Sequence, residues 1–121
     1  MSTPKRIQRK RTKGWKMPEN AVYVGRPTKW GNPIRIVQTD HGYFDLVRDN
    51  VGHIDFNTTA RSAHRNATER FRSLVLKHPH LAQPADLIRA ELAGKDLVCW
   101  CPLNLDCHAD VLLEIANREM S

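Results

Sequence analysis

The hydrophobic positions of this chain change their period part-way along. From Ala21 to Phe56 they come in short bursts of β-forming residues: Ala21-Val22-Tyr23-Val24, Ile34 to Val37, Tyr43 to Val47 and His53 to Phe56. Bursts of this length, bounded by Gly, Pro, Asn and Asp, predict strands. The last three are joined by Asp40-His41-Gly42 and Asp49-Asn50-Val51-Gly52, which predicts an antiparallel meander. From residue 57 the period lengthens. Ala60, Ala63, Ala67, Phe71, Leu74 and Val75 recur at three- and four-residue steps. That spacing predicts a long helix, capped by Asn57, Thr58 or Thr59 and closed by Pro79, with Arg61, Arg65, Glu69, Arg70 and Arg72 on its wet face. A shorter helix follows, with Pro84 near its first turn, Leu87, Ile88 and Leu92 on one side, and Gly94 just past its end. Asp96 to Cys101 reads as a strand. A final helix starts near Asp106 or Cys107 with the stripe Val111, Leu112, Ile115 and Ala116. The order predicts an α/β or α+β single domain: a small mixed sheet of four to five strands flanked by about three helices.

Charge adds a boundary to this picture. The net charge is +6, but Lys5, Arg6, Arg9, Lys10, Arg11, Lys13 and Lys16 supply seven of the 19 basic residues without one acid among the first sixteen positions. The rest of the chain carries 12 basic against 13 acidic residues and is nearly neutral. Residues 1–16 therefore read as a flexible basic arm ahead of a globular domain, residues 17–121. Such an arm can neutralise a phosphate backbone without reading sequence, with Lys5, Arg6, Arg9, Lys10, Arg11 and Lys13 as its contacts; it can equally be a solubilising tail. No stretch approaches the length of a membrane span, and no apolar segment follows the basic one as in a secretory signal. All 3 cysteines are clustered, and their number is odd. A reducing, cytoplasmic setting with free or metal-bound thiols fits better than a disulfide framework.

Those cysteines lie in Cys99-Trp100-Cys101-Pro102-Leu103-Asn104-Leu105-Asp106-Cys107-His108, where a strand gives way to a Pro-containing loop and then a helix. Cys99, Cys101, Cys107 and His108 form a candidate zinc set, two thiolates from a strand face and a thiolate with an imidazole from a helix start. The spacing is unlike the common C-x2-C knuckle, and adjacent helical residues diverge by about 100°. One of the four is thus expected to point away, with His41, His53 or His64 as substitutes. A second reading makes Cys107 a thiolate nucleophile at a helix N-terminus, assisted by His108, with Asp110 opposing its charge. A third makes the helix N-terminus an anion site. The plain alternative is that the cysteines are small core residues.

A second loop, Gly25-Arg26-Pro27-Thr28-Lys29-Trp30-Gly31-Asn32-Pro33, offers cations, an indole and an amide beside glycines that permit close approach. Trp30 would stack on a base, Arg26 and Lys29 would hold phosphate, and Asn32 would read a base edge. The alternative is a rigid turn with Trp30 buried as its anchor. The two loops, placed at one sheet edge, would share a pocket.

Together, Tyr23-Val24-Gly25-Arg26…Lys29-Trp30-Gly31-Asn32-Pro33 and Gly94-Lys95…Leu97…Cys99-Trp100-Cys101-Pro102…Cys107-His108-Ala109-Asp110-Val111-Leu112 resemble the domain-of-unknown-function family numbered 4326, from about Arg9 to Asn117. The family pattern has Phe after the loop proline and Gly after the Cys-His pair, where this chain has Ile34 and Ala109. The resemblance implies a small compact domain whose two motif loops form the functional surface, in an actinobacterial or phage setting. The expectation is a nucleotide- or nucleic-acid-handling protein, an enzyme if a metal keeps an open position to activate water, with Asp106 and Asp110 the nearest carboxylates. The rival expectation is a non-enzymatic module that grips DNA or a host protein, its metal structural or absent.

Overall fold

The structure is a computed structural model that describes residues 3–48, 51–78, 80 and 82–118. Its elements are β1 (Arg6–Gln8), β2 (Ala21–Tyr23), β3 (Ile34–Gln38), β4 (Phe44–Arg48), β5 (Gly52–Asn57), α1 (Ala60–Lys77), α2 (Ala85–Leu92), β6 (Asp96–Cys99) and α3 (His108–Ala116). The six strands form two three-stranded sheets rather than one. In the first, β6 lies between β1 and β2 and runs parallel to both, with Ile7 opposite Val98 and Val22 opposite Leu97. A central parallel strand is covered on both faces, and the run Leu97-Val98-Cys99 is correspondingly buried. The second sheet is the expected meander, β3-β4-β5, antiparallel, with a register irregularity between Leu46 and Val47. It is one-sided. Ile34 and Leu46 are buried, while Val37 and Phe56 are exposed.

Helix α1 joins the two halves. Phe71 and Val75 enter a cluster with β6 and α3, and Ala63, Ala67 and Leu74 enter a second cluster with Ile34 and Leu46. One broad apolar stripe thus serves two cores, with Ala63, Ala67 and Leu74 on one side of it and Phe71 and Val75 on the other. Thr59 is the N-cap, its side chain accepting the Ser62 N–H at 3.1 Å. Asn57 instead accepts from Ser62 and Asn66. Gly94, past the end of α2, has φ +76°, a conformation in which a Cβ would be strained. Pro84 is the N-cap of α2. Pro79 and the Asp49-Asn50 turn lie outside the described residues. No helix among the described residues is long and apolar enough to cross a membrane.

The first residues differ from the sequence reading. Arg6 to Gln8 are a strand, and the Arg9 N–H continues the pairing to the Cys99 carbonyl at 2.7 Å. Three residues of mixed character are too short to show a strand's period; β6 supplies the partner that makes them one. At least residues 6–9 are therefore part of the domain and not a detached arm.

Because α1 fastens both sheets, Phe71→Ala should lower unfolding free energy by about 4 kcal/mol. Leu76→Ala on the exposed side of the same helix should change it by less than about 0.5 kcal/mol. Urea titration compares them, and equal losses would contradict the packing described.

Candidate functional site

All three parallel strands point their carboxyl ends to one edge, and ligands of open parallel sheets collect at such edges. A cleft of about 620 Å³ opens there. Tyr23, Gly25, Arg26 and Asn32 form one side; Ile34, Arg35 and Phe44 of the second sheet and His64 and Thr68 of α1 form another. The buried Cys99, Cys107 and His108 form the floor with Cys101, and the more exposed Trp100, Pro102 and Asp106 also line the cleft. Both motif loops thus contribute to one cavity.

The cysteines come together because the chain bends. On a strand, residues two apart advance ~6.6–6.8 Å. Strand β6 ends at Cys99, and the bend over Trp100 and Cys101 leaves the Cys99 and Cys101 sulfurs 3.8 Å apart. Cys107 completes the group with its sulfur 3.4 Å from that of Cys99. The three Sγ atoms lie within 4.8 Å of one another, the one such metal-competent set among the described residues. Cys99 and Cys107 are buried and Cys101 is partly so.

His108 stands beside this group and not within it. The expected divergence of Cys107 and His108 does not occur, because Cys107 is the N-cap of α3 with extended backbone (φ −147°, ψ 150°) and lies outside the helix. The His108 Nδ1 is 3.5 Å from the Cys107 sulfur, and Nε2 is 2.8 Å from the Val24 carbonyl. A carbonyl only accepts, so Nε2 carries the proton and the Nδ1 lone pair faces the sulfur. Burial keeps the imidazole neutral by pushing its pKa down. Of the suggested substitutes, His64 reaches the cleft, with its Nδ1 3.1 Å from the Asp106 carbonyl. His53 pairs with Asp45 on the far sheet, and His41 is not among the lining residues.

Cys107 is held well below the usual thiol range. Hydrogen bonding with Cys101 and then Cys99 does most of this, helped by the Ala109 N–H and Arg6, against the opposing effect of burial. The Cys101 thiol is pushed up by its hydrogen bonds with Cys107 and Cys99 and by burial.

Arg6 organises the loop. Its Nη2 donates to the carbonyls of Pro102 (3.3 Å), Leu103 (3.0 Å) and Leu105 (2.7 Å), and its Nε lies 3.4 Å from Asp110 Oδ1. The side chain is only 8% exposed, so it faces inward and is not offered to a nucleic-acid phosphate. Asp110 is equally occupied: its other oxygen accepts the Cys107 N–H at 3.0 Å in a capping box. Asp110 thus fixes Cys107 in place, and Arg6 balances its charge. Asp106 is exposed at the cleft. Nothing in the sequence singled out Arg6 from its basic neighbours; only the pairing of β1 with β6 delivers it to the loop.

The second loop divides. Arg26 and Asn32 line the cleft, whereas Lys29 and Trp30 do not. Trp30 is 5% exposed in the main core, so it cannot stack on a ligand. Lys29 lies 4.8 Å over that indole and pairs with Glu91 at 2.9 Å. Asn32 spends its amide on the fold, donating to the Ala67 carbonyl (3.2 Å) and accepting from the Ile34 N–H (2.9 Å). Arg26 donates to the Asn32 carbonyl across the turn. The loop is chiefly a rigid turn that carries a cleft wall.

The chain belongs to the DUF4326 family, described as a domain of unknown function, across residues 7–118. The matched span begins inside β1 and includes both loops of the cleft. No curated protein and no solved structure matches the chain. Within this DUF4326 domain, Ile34 and Ala109 are both buried in core positions. Ala109 has no exposed surface and does not line the cleft, although its N–H reaches the Cys107 sulfur.

Arg6→Met should destabilise the domain by about 2 kcal/mol, since it leaves three carbonyls and a partly exposed carboxylate without their donor. Lys10→Ala, at an exposed neighbour, should cost less than about 0.5 kcal/mol. Thermal unfolding of the two variants checks this, and similar small losses would show that the inward guanidinium holds nothing.

Proposed function

We propose that Cys99, Cys101 and Cys107 bind one zinc ion at the floor of the cleft, and that the cleft receives a nucleotide unit. The observation that carries the metal reading is the sulfur spacing. Around a tetrahedral zinc with Zn–S of about 2.3 Å, neighbouring sulfurs stand about 3.8 Å apart. The separations here are 3.8 and 3.4 Å. Sulfurs all within 4.8 Å suit the shell of a single ion, and a thiolate set suits a soft one. The imidazole supports the same reading. The His108 Nδ1 faces the Cys107 sulfur across 3.5 Å while its Nε2 is held by the Val24 carbonyl, so an electron-pair donor and a sulfur ligand are turned to the same place, as a nearby cation requires. His108 also has the outer hydrogen bond to a carbonyl that orients metal-binding imidazoles.

A zinc ion held by three residues keeps a fourth position, which supplies a Lewis acid or an activated water. The protein's own groups surround that position. Arg26 and Arg35 are the lining arginines, suited to phosphate, while Phe44 and Trp100 offer ring surface to a base. Asp106 is the lining carboxylate and His64 the second lining imidazole, and they are the groups available to take a proton. A second reading follows from His108: were its Nδ1 to become the fourth ligand, the site would close and the protein would be a binding module with a structural metal.

Protein purified without a histidine tag should contain about one zinc per chain by elemental mass spectrometry. Its thiols should react slowly with a disulfide reagent until a chelator is added, and Cys101→Ser should lose the metal. Absence of metal together with one fast-reacting thiol would remove this reading and make Cys107 the reactive group.

A further inference from the structure

We infer that Arg11, Trp100, Arg9 and Tyr23 form a binding surface for single-stranded nucleic acid that leads into the cleft. The inference rests on the cleft taking a nucleotide unit, and adds that the unit arrives as part of a strand. The Arg9 guanidinium lies 4.7 Å from the Tyr23 ring and 5.1 Å from that of Trp100, and Arg11 lies 4.9 Å from Trp100. Tyr23 and Trp100 line the cleft, so the stack stands at its mouth. Its position is fixed by the backbone, through the Arg9 N–H on the Cys99 carbonyl.

Stacking occupies the face of a guanidinium and leaves its in-plane N–H groups to bind phosphate. Neither Arg9 nor Arg11 forms an ion pair among the described residues, in contrast to Arg6, Arg70, Arg72 and Arg89. Trp100 is 38% exposed, a large indole kept at the surface where burial was available to Trp30 at 5%. Cations alternating with aromatic rings are the means by which proteins hold unpaired strands, the rings stacking on bases and the cations following the backbone. Lys10 and Lys13 are exposed beside the stack and extend its charge. Duplex bases are already stacked on one another and give Trp100 no face, which is why the surface fits a single strand. The acid nearest this route among the lining residues is Asp106, inside the cleft rather than on the stack.

The test is fluorescence anisotropy with the full chain as purified, using labelled oligothymidylate, oligouridylate and a hairpin duplex, with thymidine monophosphate as competitor. A single strand should bind at least about tenfold more tightly than the duplex and the mononucleotide. Trp100→Ala should weaken it by about tenfold. Arg11→Ala should lower the slope of log affinity against log salt by about 0.7, and Arg65→Ala, the same charge removed from the exposed face of α1, should leave both unchanged. Equal binding of duplex and single strand, or equal effects of the two arginine variants, would overturn the inference in favour of unspecific charge. Binding of the mononucleotide with no gain from the oligomers would overturn the strand and leave the cleft reading standing. No binding of either would overturn both.

Discussion

Strand β6 is the constraint from which the rest of this structure follows. It is short, buried, and paired in parallel on both sides, so its backbone hydrogen bonds are satisfied only when β1 and β2 are in register with it. That register decides which side chains meet. β1 brings Arg6 under the cysteine loop and Arg9 beside Trp100, β2 brings Val24 to the His108 imidazole, and the strand's own end places Cys99 at the edge where the others arrive. Parallel pairing puts all of these at one edge. The antiparallel sheet, fastened by α1, then supplies the opposite wall.

Electrostatics inside this frame are arranged around the sulfurs. A buried guanidinium is costly unless its donors are used, and Arg6 uses them on three carbonyls and on Asp110. Its Nη1 is buried without a protein partner among the described residues, and the same guanidinium helps to hold the Cys107 thiol down. Positive charge is thus stored next to the group proposed to carry three thiolates around a divalent ion, a set whose net charge is −1. The same residue that shapes the loop would also make the proposed anionic centre tolerable.

Much of this was legible in the chain. The periods of 2 and 3.6 give the meander and all three helices, since each is long enough to display its period, and the final buried strand shows as a short apolar run after a helix-ending glycine. Clustered cysteines at a strand end mark the cleft floor. The unseen parts were those that depend on partners distant in sequence. Strand β1 has three residues and no pattern of its own, so the arm looked detached and Arg6 looked like one solvated cation among seven. For Trp30 composition left two readings open, a ligand stack or the buried anchor of a rigid turn, and only the packing of the indole in the main core decides for the anchor; the Lys29 ammonium was read as a phosphate contact because its partner Glu91 is distant in sequence. The divergence expected of Cys107 and His108 assumed helical backbone at Cys107, and the N-cap conformation removes it.

The most direct test of the proposed metal centre is the absorption spectrum of the protein loaded with cobalt(II), which reports ligand type and coordination number together. Three thiolates with a position open to the cleft predict strong thiolate-to-cobalt charge transfer, intense visible bands of a four-coordinate ion, and a shift of those bands on adding azide. Weak visible bands without charge transfer would contradict the account, because the sulfurs would then not be holding the ion.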